Sequence, residues 1–405
     1  MHLLRDNRLV DVYIAEAART PFGSYFGSLS EVRADDLLAR TIRNLLEKLP
    51  SLDPQVIDDV VIGDSNGSGE DNRNVARMGL LLAGLPVTVP GVTVNRLCGS
   101  GGEAIIQASR EIRTGDADFV LAGGVESMSR APWIVKRTTK KTPESVSVDE
   151  LHQSTVGWRM VNPEFPSEWT QSLGRCAESV AERVGISREE QDGWALRSHS
   201  RALEAWQQGL HDGFASEFAG LTRDESIRPE TSLEKLGSLP SAFSEGGAVT
   251  AGNSSPINDG SVVTLLTTLD GIKKLGIDTD NSGGYGKILG SAVVGRAPHE
   301  FTLAPIDAVK ALMAKLNLKF TEIKVWEINE AFSAMVLSVL HGLPEIDREQ
   351  VNVNGGAIAM GHPIGSSAAR VIVDATRELR RRGGGIGIAT ACIGVGQGIA
   401  VAVEV

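Results

Sequence analysis

One pattern of elements occurs twice in this 405-residue chain, and it limits the fold more than any single residue does. The first copy runs Val92-Thr-Val-Asn95, a turn holding Cys98 between glycines, a helix closing on Arg113, then Phe119-Val-Leu-Ala-Gly123. The second runs Val351-Asn-Val-Asn354, a turn holding His362 beside Gly355, Gly356 and Gly361, a helix closing on Arg382, then Gly387-Ile-Ala-Thr-Ala-Cys392. Recurrence of the same element order reads as two halves of one duplicated fold. Corresponding turns of such a duplication face each other across a pseudo-twofold axis, which would bring Cys98 toward His362.

Hydrophobic periodicity fills in the rest. Strands are expected at 10–15, 58–63, 92–95 and 118–122, with amphipathic helices at 34–49, 74–82 and 103–114. A strand should enter the histidine turn at 351–353, and a helix should leave it at 366–382. Strands alternating with helices in this way give an α/β layered fold. Between the halves the texture changes. Residues 133–169 are polar, with Lys136-Arg137, Lys140-Lys141, Pro143, Pro163 and Pro166, and read as loops. Two helices follow within 175–207, the second opened by a capping box of Ser187 and Glu190. Ala248-Val-Thr-Ala-Gly-Asn253 resumes the core. The expected division is therefore 1–125 plus 248–275 for one half, 126–247 for an inserted lid, and 276–405 for the other half.

The formal net charge of −11 excludes nucleic acid as a partner and leaves an anionic ligand only through local basic residues and helix N-termini. No apolar run reaches the roughly 18–20 residues of a membrane helix. Three cysteines spread along the chain argue for a reducing compartment rather than a disulfide framework. The opening residues lack a secretory apolar core and Val-Glu-Val at the end is no peroxisomal address, so the cytoplasm is expected.

Cys98 sits where a strand gives way to a helix, a position expected to lower a thiol's pKa and make it nucleophilic. The alternative is a small buried hydrophobe. Its Gly-Ser-Gly-Gly context lacks the Gly-Lys-Ser/Thr of a nucleotide triphosphate loop. Cys392 ends a strand in a second glycine turn, where Gly394, Gly396 and Gly398 would leave backbone N–H groups for a developing oxyanion, or simply allow a tight hairpin. Cys176, inside an apparent helix, reads as packing. Asn329 ends a strand-like run at 324–328, placed to hold a water or to cap a helix. No Cys-x-x-Cys or His-x-x-x-His pair suggests a metal site.

Taken together, Val94-Asn-Arg-Leu-Cys-Gly-Ser-Gly101, Asn329-Glu-Ala-Phe332, Asn354-Gly-Gly-Ala-Ile-Ala-Met-Gly-His-Pro363 and Cys392-Ile-Gly-Val-Gly-Gln-Gly398 resemble the four signature blocks of thiolases. The resemblance implies the thiolase fold, two α/β halves in a layered αβαβα core with an inserted lid. It implies reversible cleavage of a 3-oxoacyl-CoA by coenzyme A, a substrate rather than a resident cofactor, with other acyl-CoA thioesters as partners. By the same resemblance Cys98 would carry the acyl group. His362 would take its proton and, with a water on Asn329, bind the enolate oxygen. Cys392 would move the α-proton, and the N–H groups of Cys98 and Gly394 would hold the thioester carbonyl. Arg228 and Ser255 fall where the family contacts coenzyme A, and family members assemble as homodimers or homotetramers.

Several positions depart from the family pattern. Leu173-Gly-Arg-Cys-Ala-Glu178 replaces the usual Met-Gly-x-Thr-Ala-Glu, Ser172 stands where acetoacetyl-CoA enzymes often carry histidine, and Pro256 replaces a common glycine. Conversely, Ser154-Thr-Val-Gly-Trp-Arg-Met-Val-Asn-Pro163 resembles the lid of 3-oxoadipyl-CoA thiolases, in which a basic residue would hold the distal carboxylate. A β-ketoacyl carrier-protein synthase shares the fold and nucleophile but generally has histidine in place of Cys392. A non-catalytic subunit would have no need of Cys98, Asn329, His362 and Cys392 together.

Overall fold

The structure is a computed structural model that describes residues 9–136, 151–277 and 286–405. Nine strands and eight helices carry the architecture. The strands are β1 (Tyr13–Arg19), β2 (Asp59–Gly63), β3 (Val92–Val94), β4 (Phe119–Ser127), β5 (Asn258–Thr267), β6 (Gly286–Gly295), β7 (Ile323–Ile328), β8 (Ile386–Ile393) and β9 (Gln397–Glu404). The helices are α1 (Ala34–Glu47), α2 (Val75–Ala83), α3 (Ser100–Thr114), α4 (Leu173–Val184), α5 (Arg188–Gln207), α6 (Ala304–Leu316), α7 (Ser333–Gly342) and α8 (Ile364–Arg381).

The two halves have the same strand order. In the first, β3-β2-β4-β5-β1 are neighbours, with β2 parallel to β3 and β4, and β5 antiparallel to both β4 and β1. In the second, Val351-β7-β8-β9-β6 are neighbours, with β7 parallel to Val351 and β8, and β9 antiparallel to both β8 and β6. A short antiparallel contact between β1 and β6, Tyr13 opposite Lys287 and Ile14 opposite Gly286, joins the halves into one continuous sheet.

Alternation of side chains along each strand then sorts the core into layers. Val262 and Leu266 of β5, with Ile399, Val401 and Val403 of β9, point to an inner layer filled by α3 and α8. Their sequence neighbours Val263 and Leu265 face α1 and α2, while Ala400 and Ala402 face α6 and α7. The order α1/α2, sheet, α3/α8, sheet, α6/α7 is the layered αβαβα core. A helix with a sheet on each side must be apolar nearly all round. In α8 that is so from Ala368 through Val373, and its one buried guanidinium, Arg370, is bonded to Asp374 at 2.5 Å.

Close approach of the inner helices to the strand ends is possible because the contacts are glycines. A Cβ on Gly124 of β4 would lie 2.1 Å from the Gly365 carbonyl oxygen of α8, and one on Gly101 of α3 would lie 2.9 Å from that same oxygen.

Sequence periodicity placed most elements within a few residues. The first strand runs 13–19 rather than 10–15, because Arg19 is fully buried and salt-bridged to Asp224 at 2.6 Å, which charge alone would not reveal. The strand expected at 351–353 is only a single bridge from Val351 to Trp326. Asn352, with φ of +46°, leaves the extended region, and its side chain takes over the pairing. It accepts from Ile328 N at 2.8 Å and donates to Ile328 O at 2.8 Å. The expected strand at 118–122 continues through both glycines to Ser127. In the lid, Trp133–Val135 pairs with Leu151–Gln153 where loops were expected, and the stretch with Arg137, Lys140, Lys141 and Pro143 lies outside the described residues. Both lid helices form, with the capping box at Ser187 and Glu190. Among the described residues no helix is long and apolar enough to cross a membrane.

Two glycine substitutions should separate close contact from open space. Gly124→Ala should destabilise by about 2–3 kcal/mol or more, since backbone must move. Gly193→Ala, inside α5 with nothing near its Cβ position, should stabilise by about 0.5–1 kcal/mol. Chemical-denaturation midpoints would check both signs.

Candidate active site

The turn that carries Cys98 is built by its neighbours. Asn95 accepts from Leu97 N at 2.9 Å and donates to Ser65 O at 3.0 Å, while Ser100 Oγ accepts from Arg96 N at 2.8 Å. Leu97 is forced to φ of +48°, and Val395, beside the opposite turn, to +61°. A branched residue in that left-handed region is strained, and strain of this kind collects at functional sites. Residues 97–99 form one 3-10 turn that leads directly into α3, so Cys98 sits at the helix entrance as expected.

Burial outweighs the helix entrance, however. The Cys98 thiol is pushed up to about 11 by desolvation, against the pull of N–H groups from Gly394 and from Cys98 itself. The expected lowered pKa is thus corrected: the thiol is 8% exposed and cannot hold a charge cheaply. Cys392, at 1% exposure, is raised by burial and then by the negative charge that Cys98 would carry, so the two sulfurs sense one another.

Burial, with the charge of Arg370, holds the His362 imidazole down to about 4. Its tautomer follows from geometry. Ser367 Oγ lies 2.8 Å from Pro363 O and 2.6 Å from His362 Nδ1. The tautomer with the serine hydroxyl donating to Pro363 O and Nδ1–H donating to the serine satisfies both of these contacts. Nε2 is left as the basic nitrogen. His362 N donates to Asn258 Oδ1 at 2.9 Å, which fixes the backbone of the turn.

Asn329 lies against the ring, its amide nitrogen 3.5 Å from Nδ1, while its buried Oδ1 has no partner among the described residues. It is not a helix cap, since α7 begins at Ser333 and the Asn329 N–H pairs with Thr390 O at 2.9 Å. Next to it, the buried Glu330 carboxylate accepts from Trp194 Nε1 at 2.9 Å, Ser198 Oγ at 2.6 Å, Asn352 Nδ2 at 2.8 Å and Ile358 N at 3.2 Å. One side chain therefore ties lid helix α5 to the histidine turn. Glu126 does a similar service at the other end, accepting from Ser65 N and Gly365 N at 3.0 and 2.9 Å. Burial pushes its carboxyl up to about 7 and raises the neighbouring Asp64 strongly.

Cys98, Leu97, Gly394 and Leu173 line a cavity of about 320 Å³ whose other wall is lid, including Trp158 and Arg159. The two residues expected to touch coenzyme A lie outside that lining. Ser255 is half-buried beside the Asn329 turn, its N–H donating to Ala331 O at 3.0 Å. Arg228 is exposed on the lid, its N–H donating to Nδ1 of His199 at 3.2 Å. Sequence reasoning missed Ser367, Asn258, Glu126 and Glu330 as parts of the site. Glu330 lay inside a recognised block, whereas Asn258 carried no local signal, since it meets His362 only in the fold.

Comparison with known proteins identifies the family. Residues 12–270 match the family model for the thiolase N-terminal domain, and residues 284–405 the one for the thiolase C-terminal domain. A beta-ketoadipyl-CoA thiolase of Escherichia coli is 44% identical over 97% of this chain and 99% of that protein. One from Pseudomonas knackmussii is 43% identical with the same coverage. Among solved structures, the Bacillus anthracis acetyl-CoA acetyltransferase is 35% identical with a TM-score of 0.87, over 98% of this chain and 100% of that one. The human mitochondrial 3-ketoacyl-CoA thiolase in complex with CoA also has a TM-score of 0.87, at 34% identity over 98% of each chain. With both halves matched, the chain belongs to the thiolase family and is an acyltransferase.

Proposed function

We propose that this thiolase cleaves 3-oxoadipyl-CoA with coenzyme A, giving acetyl-CoA and succinyl-CoA through a thioester on Cys98. The observation that carries the chemistry is a cavity lined by Cys98 and Gly394, with the Gly394 N–H at the Cys98 sulfur and a second buried thiol, Cys392, close enough to sense its charge. The substrate reading rests on relatives named for beta-ketoadipyl-CoA that are 42–44% identical over nearly the whole chain.

In the first half-reaction His362 Nε2 accepts the Cys98 proton as the sulfur attacks the 3-oxo carbon. The bond between carbons 2 and 3 breaks, its electron pair forms the enolate of acetyl-CoA, and Cys392 gives its proton to carbon 2. His362, now charged, and a water held by Asn329 Oδ1 face the enolate oxygen. In the second half-reaction a proton leaves the thiol of coenzyme A for Cys392, the new thiolate attacks the Cys98 thioester, and Cys98 departs to regain its proton from His362. The N–H groups of Cys98 and Gly394 hold the thioester carbonyl oxygen in both. Coenzyme A is a substrate here, not a resident cofactor, with Ser255 and Arg228 as its proposed contacts. A neutral thiol beside a neutral imidazole suits this scheme, because proton transfer coincides with bond formation and no buried charge waits in the resting enzyme. We place the enzyme in the cytoplasm, consistent with three free cysteines, as a homodimer or homotetramer.

Three outcomes are expected. Alkylation of Cys98 by iodoacetamide, followed on its own peptide by mass spectrometry, should quicken about tenfold per pH unit from pH 6 to 9. A plateau starting near pH 6 would instead reveal a preformed thiolate–imidazolium pair. Cys98→Ser should form no acyl-enzyme, whereas Cys392→Ala should still acylate but fail to exchange the α-protons of acetyl-CoA with solvent. The value of kcat/KM for 3-oxoadipyl-CoA should exceed that for acetoacetyl-CoA; the reverse order would make this an acetoacetyl-CoA enzyme.

A further inference from the structure

The geometry points to Arg159 as the residue that reads the far carboxylate of the acyl chain, with Trp158 as the wall along its methylenes. This rests on the thiolytic reading above and adds to it which side chain selects a dicarboxylic substrate.

Cys98 and Arg159 line the same cavity, and among the described residues Arg159 is the only charged side chain in that lining. A guanidinium has five N–H donors. Here one is engaged, at a long 3.4 Å, with the Ser154 carbonyl, and no carboxylate among the described residues pairs with Arg159. An acyl chain entering the cavity displaces water from this cation. The desolvation is unfavourable for a monocarboxylic chain and is offset when the chain ends in a carboxylate that fits the planar fork. Succinyl on Cys98 places that carboxylate two methylenes beyond the thioester carbonyl, in the cavity whose wall Arg159 shares with Cys98.

The loop holding Arg159 is anchored rather than free. Ser154 and Thr155 are buried, Ser154 Oγ donates to Pro132 O at 2.6 Å, and Asn66 Nδ2 donates to Thr155 O at 3.4 Å. Asn66 is itself bonded through its N–H to Glu126 at 3.2 Å, so the loop is tied to the carboxylate that holds the start of α8. Trp158 is supported from behind by Phe165, with ring centroids 6.2 Å apart. The backbone that carries Arg159 is thus held before the substrate arrives, which favours discrimination by a polar contact.

The test compares 3-oxoadipyl-CoA with 3-oxohexanoyl-CoA, which has the same carbon count and no distal carboxylate. In Arg159→Gln the ratio of their kcat/KM values should fall about ten- to hundredfold. Arg159→Lys, which keeps the charge and loses the fork, should give an intermediate ratio. An unchanged ratio in both variants overturns the assignment. So does an equal loss on both substrates with a raised KM for coenzyme A, which would make Arg159 a contact for the coenzyme. If the unaltered enzyme itself shows no preference for 3-oxoadipyl-CoA, the substrate reading falls and this assignment with it. If it does and the variants retain that preference, only the role of Arg159 falls.

Discussion

Close packing of two buried helices against glycine-bearing strand ends is the constraint on which the site depends. Gly124 of β4 and Gly101 of α3 let the first turn of α8 approach until a single methyl would collide with its backbone. This contact sets the separation between the two halves where the cysteine turn of one and the histidine turn of the other open. A wider gap would draw the Cys98 turn away from the His362 turn and from Cys392 in β8. Interiors at crystal-like density transmit such constraints without slack, so the chemistry inherits its precision from packing rather than from the loops themselves.

The same burial sets the electrostatics. It raises both thiols and depresses the imidazole, leaving a resting site with little charge at neutral pH. The helix entrance at Cys98 favours a thiolate, but desolvation of a fully enclosed sulfur is the larger effect. The charges near the site are kept where they have partners: Arg370 with Asp374, and Glu126 with backbone N–H groups. Arg159 is a cation at the cavity wall with no carboxylate partner among the described residues.

Buried hydrogen bonds convert packing into orientation. Ser367 fixes which nitrogen of His362 is basic, and Glu330, with four donors, fastens lid helix, histidine turn and Asn329 turn to one another. Removing a donor from such a network leaves a buried carboxylate short of a partner, which is costlier than the bond's net contribution. The lid is consequently part of the site's scaffold as well as its cover.

Much of this was legible in the chain because it is written in local terms. Periodicity of two and of 3.6 marked the strands and helices, glycine turns marked Cys98, His362 and Cys392, and recurrence of element order marked the duplication. The amino-acid sequence alone therefore determined the layered α/β class, the two halves and the residue types available for acyl transfer. What it left open depends on partners distant along the chain. Arg19 gives no local sign of burial until Asp224 is beside it, Asn352 reads as a strand residue until its side chain pairs with Ile328, and Cys98 as an activated thiol until its burial is known. Tertiary structure alone decided the protonation states, the tautomer of His362 and the presence of Arg159 at the cavity, because desolvation and hydrogen bonding are properties of a position in space and not of a neighbour in sequence.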